Sequence, residues 1–212
     1  IDKYNIRLLS NTKELVEKQN DSAGQNEAEM FGFPTYNLEK KESEKKALID
    51  SGGMRYSFGD NVSELPGTLE EIKNIGKLMD KNAWTYKTYL ENQATEENIK
   101  KLNSPKIFHV ATHGFFLEDI SMDENSKEGI DSRNMKFNPL MRSGLLFAGA
   151  ENTIREEDIP GNEDGILTAY EAMNLNLDHT ELVVMSACET GLGEVKNGEG
   201  VYGLQRAFIV AG

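Results

Sequence analysis

A single cysteine, Cys188, stands in the whole chain, which excludes an internal disulfide and suits a reducing compartment. A lone cysteine in an intracellular protein is either a packing residue or a reactive thiol, and its surroundings decide which. Bases are scarce: 23 Lys and Arg stand against 36 Asp and Glu, for a net charge of −13. That balance argues against nucleic acid, whose phosphates need clustered cations. It favours solubility, and a basic partner more weakly. No apolar run approaches the ~20 residues of a membrane span, and no basic segment followed by an apolar stretch marks a secretory leader. A cytoplasmic location is expected. The chain begins with Ile1 rather than Met and is therefore expected to be a fragment or a processed product.

Histidine is also scarce, with three residues, so a zinc site has few ligands to draw on. His109 and His113 have i, i+4 spacing but fall in a strand pattern, which would hold them about 13 Å apart, too far for one ion. His179 falls in a turn. His109 is read as a satisfied sheet histidine, and neither metal nor cofactor is expected. Walker-type lysine motifs and Gly-x-Ser-x-Gly elbows are absent. The stretch from Gly191 to Lys196 lacks the third glycine of a dinucleotide loop, and neighbouring glutamates would repel phosphate.

What is present reads as one α/β domain. Residues 1–60 carry the weakest pattern: a strand over 6–9, a helix opened by Ser10, a charged run over 39–46, and a short strand over 28–34 ending in a turn. From Leu65 the signals sharpen. Thr68 and Glu71 read as a capping box, followed by Leu69, Ile72, Ile75, Leu78 and Met79 at helical spacing. A strand from Trp84 to Leu90, a helix opened by Thr95 and a strand from Lys106 to His113 make a βαβ unit with a parallel sheet. Residues 118–138 lack periodicity and read as an insertion. Ser143–Gly149 reads as a strand, Thr168 and Glu171 as a second capping box, and Glu181–Ser186 as a strand buried on both faces. A loop over Ala187–Gly200 precedes a last helix with Val201, Leu204, Phe208 and Ile209 facing inward.

Reactive groups in open α/β sheets gather beyond the carboxyl ends of the strands. Two strands deliver such groups: His113 before Gly114, and Cys188 two residues past Ser186. Imidazole is the usual base for a thiol, and neighbouring strands would bring the pair together. The duller reading is a cysteine buried for packing alone. Against it stand the glycines of Ala-Cys-Glu-Thr-Gly-Leu-Gly, which permit a sharp turn with free backbone N–H groups, and Gly114, whose N–H could approach an oxyanion.

Taken together, HVATHGFF (109–116), PLMRSGLLFAG (139–149), GILTAYEAMNLNLDHTELVVMSACETGLG (165–193) and GEGVYGLQRAFIVAG (198–212) resemble the CHAT domain. That family comprises caspase-like peptidases related to separases and is often fused to tetratricopeptide repeats. The resemblance covers 60–212 as the peptidase core, and 1–59 more loosely as an N-terminal part of the same domain. It implies a caspase-like layered α/β fold, with a mainly parallel central sheet flanked by helices. The family continues past AFIVAG, so truncation at the C-terminal end is expected. It further implies a Cys–His dyad: His113 as general base and acid, Cys188 as nucleophile forming a thioester, and backbone N–H groups of Gly114 and Cys188 as oxyanion hole. Ser186, two residues before the cysteine, and Glu189 would contact substrate. A neutral Ser186 argues against selecting a basic side chain through that position. The implied partners are a protein substrate and a repeat region or regulatory protein. The alternatives are a catalytically silent interaction module and a small-molecule cysteine hydrolase or acyltransferase.

Overall fold

The computed structural model describes residues 27–38, 62–116, 138–155, 157, 163–189 and 199–212. Strand β1 (Glu27–Pro34) is followed by α1 (Pro66–Lys81), β2 (Thr85–Glu91), α2 (Glu96–Lys100) and β3 (Ile107–Phe116). Then come a short 3-10 turn (Pro139–Met141), β4 (Ser143–Leu146), α3 (Ala150–Ile154), β5 (Ile166–Thr168), α4 (Ala169–Ala172), β6 (Leu182–Glu189) and α5 (Glu199–Ala211). One six-stranded sheet runs β2-β1-β3-β4-β5, with β6 also paired to β3. The β1–β2, β1–β3 and β3–β6 pairs are parallel, while β3–β4 and β4–β5 are antiparallel. The architecture is therefore α/β with a mostly parallel central sheet, as the sequence leads one to expect.

Strand β3 organises the rest. Ile107–Ala111 pair with β1, Gly114–Phe116 with β4, and Ile107–Gly114 with β6. Its residues from Phe108 to Phe115 are all buried, as expected of an apolar strand covered on both faces. Phe108 and Val110 enter the main core with Phe31, Phe147, Leu204 and Phe208. The opposite pleat places Ala111 with Met30 and Ile72, beneath α1. A third cluster, Tyr36, Phe115, Leu146, Ala150 and Ile166, closes the end of the sheet where β1 and β3 finish.

Several local expectations give way to the structure. Thr68 does not cap α1: the helix begins at Pro66, whose fixed φ suits the first helical turn, and Leu65 occupies the cap without a side-chain bond. Thr68 instead donates to Leu65 O (2.7 Å) and accepts from Phe33 N (3.1 Å), joining α1 to β1. The second box is present in full, with Thr168 and Glu171 bonded reciprocally. Leu78 is exposed, because the buried stripe of α1 runs through Thr68, Ile72 and Gly76. Among the α5 residues whose side chains are described, the buried set is Leu204, Ala207, Phe208 and Ala211, an i, i+3, i+4, i+7 pattern that leaves Ile209 outside; Val201 lies outside that description. Residues 150–154 form a short helix, α3. The expected strand over 6–9, the helix after Ser10, the charged run 39–46, most of the insertion and the stretch from Gly191 to Lys196 lie outside the described residues.

Gly144 is where β4 comes closest to its neighbours. A Cβ there would lie 2.4 Å from Leu167 O and 2.6 Å from Phe115 Cε1, and the backbone carbonyl cannot swing aside. Gly144→Ala should lower stability by about 2 kcal/mol or more, as overpacking of an ordered core does. Chemical denaturation would check this; an unchanged midpoint would mean that the β4–β5 pair yields without cost.

Candidate active site

The parallel strands β1, β3 and β6 all end at one edge of the sheet, where an α/β fold leaves its backbone open to ligands. His113 lies near the end of β3, Cys188 near the end of β6, and the two are register partners. Adjacent strands are about 4.8 Å apart, so 75 residues of separation reduce to one strand spacing. Cys188 does not sit in a loop beyond the strand, as the sequence suggests. Strand β6 runs on through Glu189, so backbone pairing fixes Cys188 against β3. Glu189 is the register partner of Gly114, and Ser186 that of Ala111.

His113 is almost wholly buried. Its Nε2 lies 2.7 Å from Ser63 O, ahead of α1. A carbonyl can only accept, so Nε2 carries the hydrogen and Nδ1 holds the lone pair. Nδ1 is buried with no hydrogen-bond partner among the described residues. Burial holds the imidazole below its ordinary pKa, and the Ser63 carbonyl opposes this in part. At neutral pH the ring is therefore an uncharged base with a free acceptor.

A second set of contacts fixes the backbone here. Thr112 Oγ1 donates to Leu146 O, so Tyr36 Oη donates to Thr112 Oγ1 at 2.9 Å. His113 N–H in turn reaches Tyr36 Oη at 3.4 Å, and the two rings lie 5.2 Å apart at a 39° tilt. Burial pushes the Tyr36 phenol up to about 12, which keeps it a neutral donor.

Glu71 links the remaining polar residues on the α1 side. Its Oε2 accepts from Ser186 Oγ at 2.9 Å and its Oε1 lies 3.0 Å from His109 Nε2. His109 is thus a buried sheet histidine with a carboxylate partner. Burial depresses its pKa, and Glu71 acts against that shift. His179 is exposed in a turn.

Sequence reasoning missed Ser63, Tyr36 and Thr112, and read Glu71 as a helix cap. Ser63 acts through its carbonyl, which every residue type carries, so no residue pattern could reveal it. Tyr36 had one available signal: it lies two residues past the end of a parallel strand.

A family model for the CHAT domain matches residues 1–212. The chain belongs to the CHAT domain family. Neither the curated proteins nor the solved structures searched contain a match. Membership brings a caspase-like, peptidase-related fold, with which the mostly parallel sheet of this CHAT domain agrees. Among the described residues no helix of the CHAT chain is long and apolar enough to cross a membrane.

The two depressed histidines give this CHAT domain a pH dependence whose sign follows directly. A histidine with a lowered folded pKa binds fewer protons folded than unfolded once the pH falls below about 6.5. Stability is then lost as pH falls, at no more than about 1.4 kcal/mol per pH unit for each proton. Urea unfolding at pH 7.5 and 5 should show a smaller loss in the His109→Gln/His113→Gln double variant. Equal losses would remove this account.

Proposed function

We propose that the chain is a cysteine endopeptidase that cleaves a protein substrate in the cytoplasm, regulated by a repeat region or partner protein. In this reading His113 Nδ1 takes the proton of the Cys188 thiol, and the electron pair left on sulfur attacks the scissile carbonyl. Backbone N–H groups of Gly114 and Cys188 receive the oxyanion. The protonated imidazole then returns its proton to the departing amine, leaving a thioester that water hydrolyses. Ser186 and Glu189 border the substrate, with Ser186 held in place by Glu71.

The observation that carries this reading is the register pairing of His113 with Cys188, joined to a ring whose Nε2 is tied back to Ser63. A histidine kept for packing alone has no need of an uncharged tautomer with a free acceptor nitrogen at a strand end. Labelling with a thiol-reactive peptide electrophile tests it. Cys188 should react well above the rate of free cysteine at neutral pH, and Cys188→Ala should abolish cleavage of a cognate protein. A thiol of ordinary reactivity, with the regulatory partner present, would identify a silent interaction module instead.

A further inference from the structure

His113 has to carry a positive charge once it accepts a proton, and no acid whose side chain the structure describes makes an ion pair with it. The titratable groups on the surrounding elements are Tyr36 after β1, Cys188 and Glu189 on β6, His109 lower on β3, and Glu64 and Glu71 on the α1 side. Glu71 is engaged with His109 and Ser186, and no described acid makes an ion pair with His113. What does lie against the ring is Tyr36, with centroids 5.2 Å apart, inside the ~6 Å range at which an aromatic face attracts a cation.

Resting on the dyad reading above, we propose that Tyr36 is a positioning residue whose aromatic face supports the His113 imidazolium. The proton moves from Cys188 sulfur to His113 Nδ1, the S–H electron pair stays on sulfur, and the new charge is shared between Ser63 O at one edge of the imidazole and the Tyr36 π face. The tyrosine is built for the task. It is 2% exposed, and its hydroxyl is anchored through Thr112 to the β4 backbone, which holds the far end of the ring beside His113. The same hydroxyl receives His113 N–H, so one residue sets both the backbone and the electrostatics of the base.

The test compares Tyr36→Phe with pentafluorophenylalanine placed at position 36. The two side chains have nearly the same shape, but fluorine reverses the sign of charge on the ring face. His113 is titrated by NMR in both chains. Its midpoint should lie roughly half a pH unit or more lower with the fluorinated ring, about a threefold loss of proton affinity. Coincident midpoints would overturn the proposal, because a purely structural tyrosine is indifferent to ring charge. If the pentafluoro chain does not fold, monofluorinated phenylalanine should give a smaller shift of the same sign, and no shift overturns the proposal equally. The titration does not depend on Cys188 being catalytic. Failure of the peptidase reading shows instead as ordinary thiol reactivity in the unsubstituted chain.

Discussion

His113→Ala should lower peptide cleavage between about 10²- and 10⁴-fold, the range lost with a positioned general base. Alkylation of Cys188 should fall with it. An unassisted thiol has a pKa near 8.5 and is only a few per cent ionised at neutral pH, so removing its proton acceptor removes most of its nucleophile. The substitution opens a small cavity in a buried site, and circular dichroism would establish that the fold persists. Imidazole added to the medium offers a second control, since it fits the vacated space and should restore part of the rate. His109→Ala provides the contrast. His109 lies four residues back on the same strand, buried with its Nε2 3.0 Å from Glu71 Oε1, so its loss should cost stability while Cys188 alkylation stays near the parent rate. A His113→Ala chain that cleaves at the parent rate would end the assignment of His113 as base.

The sequence and the structure agree best where backbone pattern alone decides the outcome. The βαβ unit through His113 was legible because β3, buried on both faces, leaves a long apolar stretch. Strand β6 was legible as an apolar strand too, but among the described residues it pairs with β3 alone and is half-exposed, so the expected burial on both its faces does not hold. His113 and Cys188 could be named as candidates from their places near strand ends, and the register sets them side by side. The reading of the family rested on motifs around those same ends. Two kinds of information stayed hidden. The first is tertiary override of local signals: Thr68 and Glu71 have capping-box spacing, yet Pro66 starts the helix earlier and frees both side chains for β1 and β6. The second is long-range support. Strand β1 sits inside a weakly patterned region, and nothing local marks Glu27–Pro34 as the strand between β2 and β3. Its strand partners lie 57 to 79 residues downstream, and His113, beside which Tyr36 is placed, lies 77 residues from that tyrosine.

Phe31→Ala puts that hidden role of β1 on an energetic scale. Phe31 is fully buried, stacked on Tyr89 of β2 at 4.3 Å and 10°, and edge-on to Phe108 of β3 and Phe147 beyond β4. One ring therefore joins three strands of the sheet and the turn that follows β4. Deleting a buried phenylalanine costs about 3–5 kcal/mol, and aromatic pairs add about 0.5–1.5 kcal/mol beyond area. Domains of this size hold only about 5–15 kcal/mol in total. The variant should thus lose a large part of its stability, read as a drop in the urea midpoint. Val210→Ala, on the exposed side of α5, should shift it by no more than about 0.5 kcal/mol. The loss is also expected to reach the site. Tyr36 follows β1 by two residues, so loosening β1 frees the ring that packs on His113. Cys188 alkylation in Phe31→Ala should then slow at urea concentrations below the unfolding transition. A rate that holds until global unfolding would mean that Tyr36 is anchored by Thr112 and β4 without help from β1.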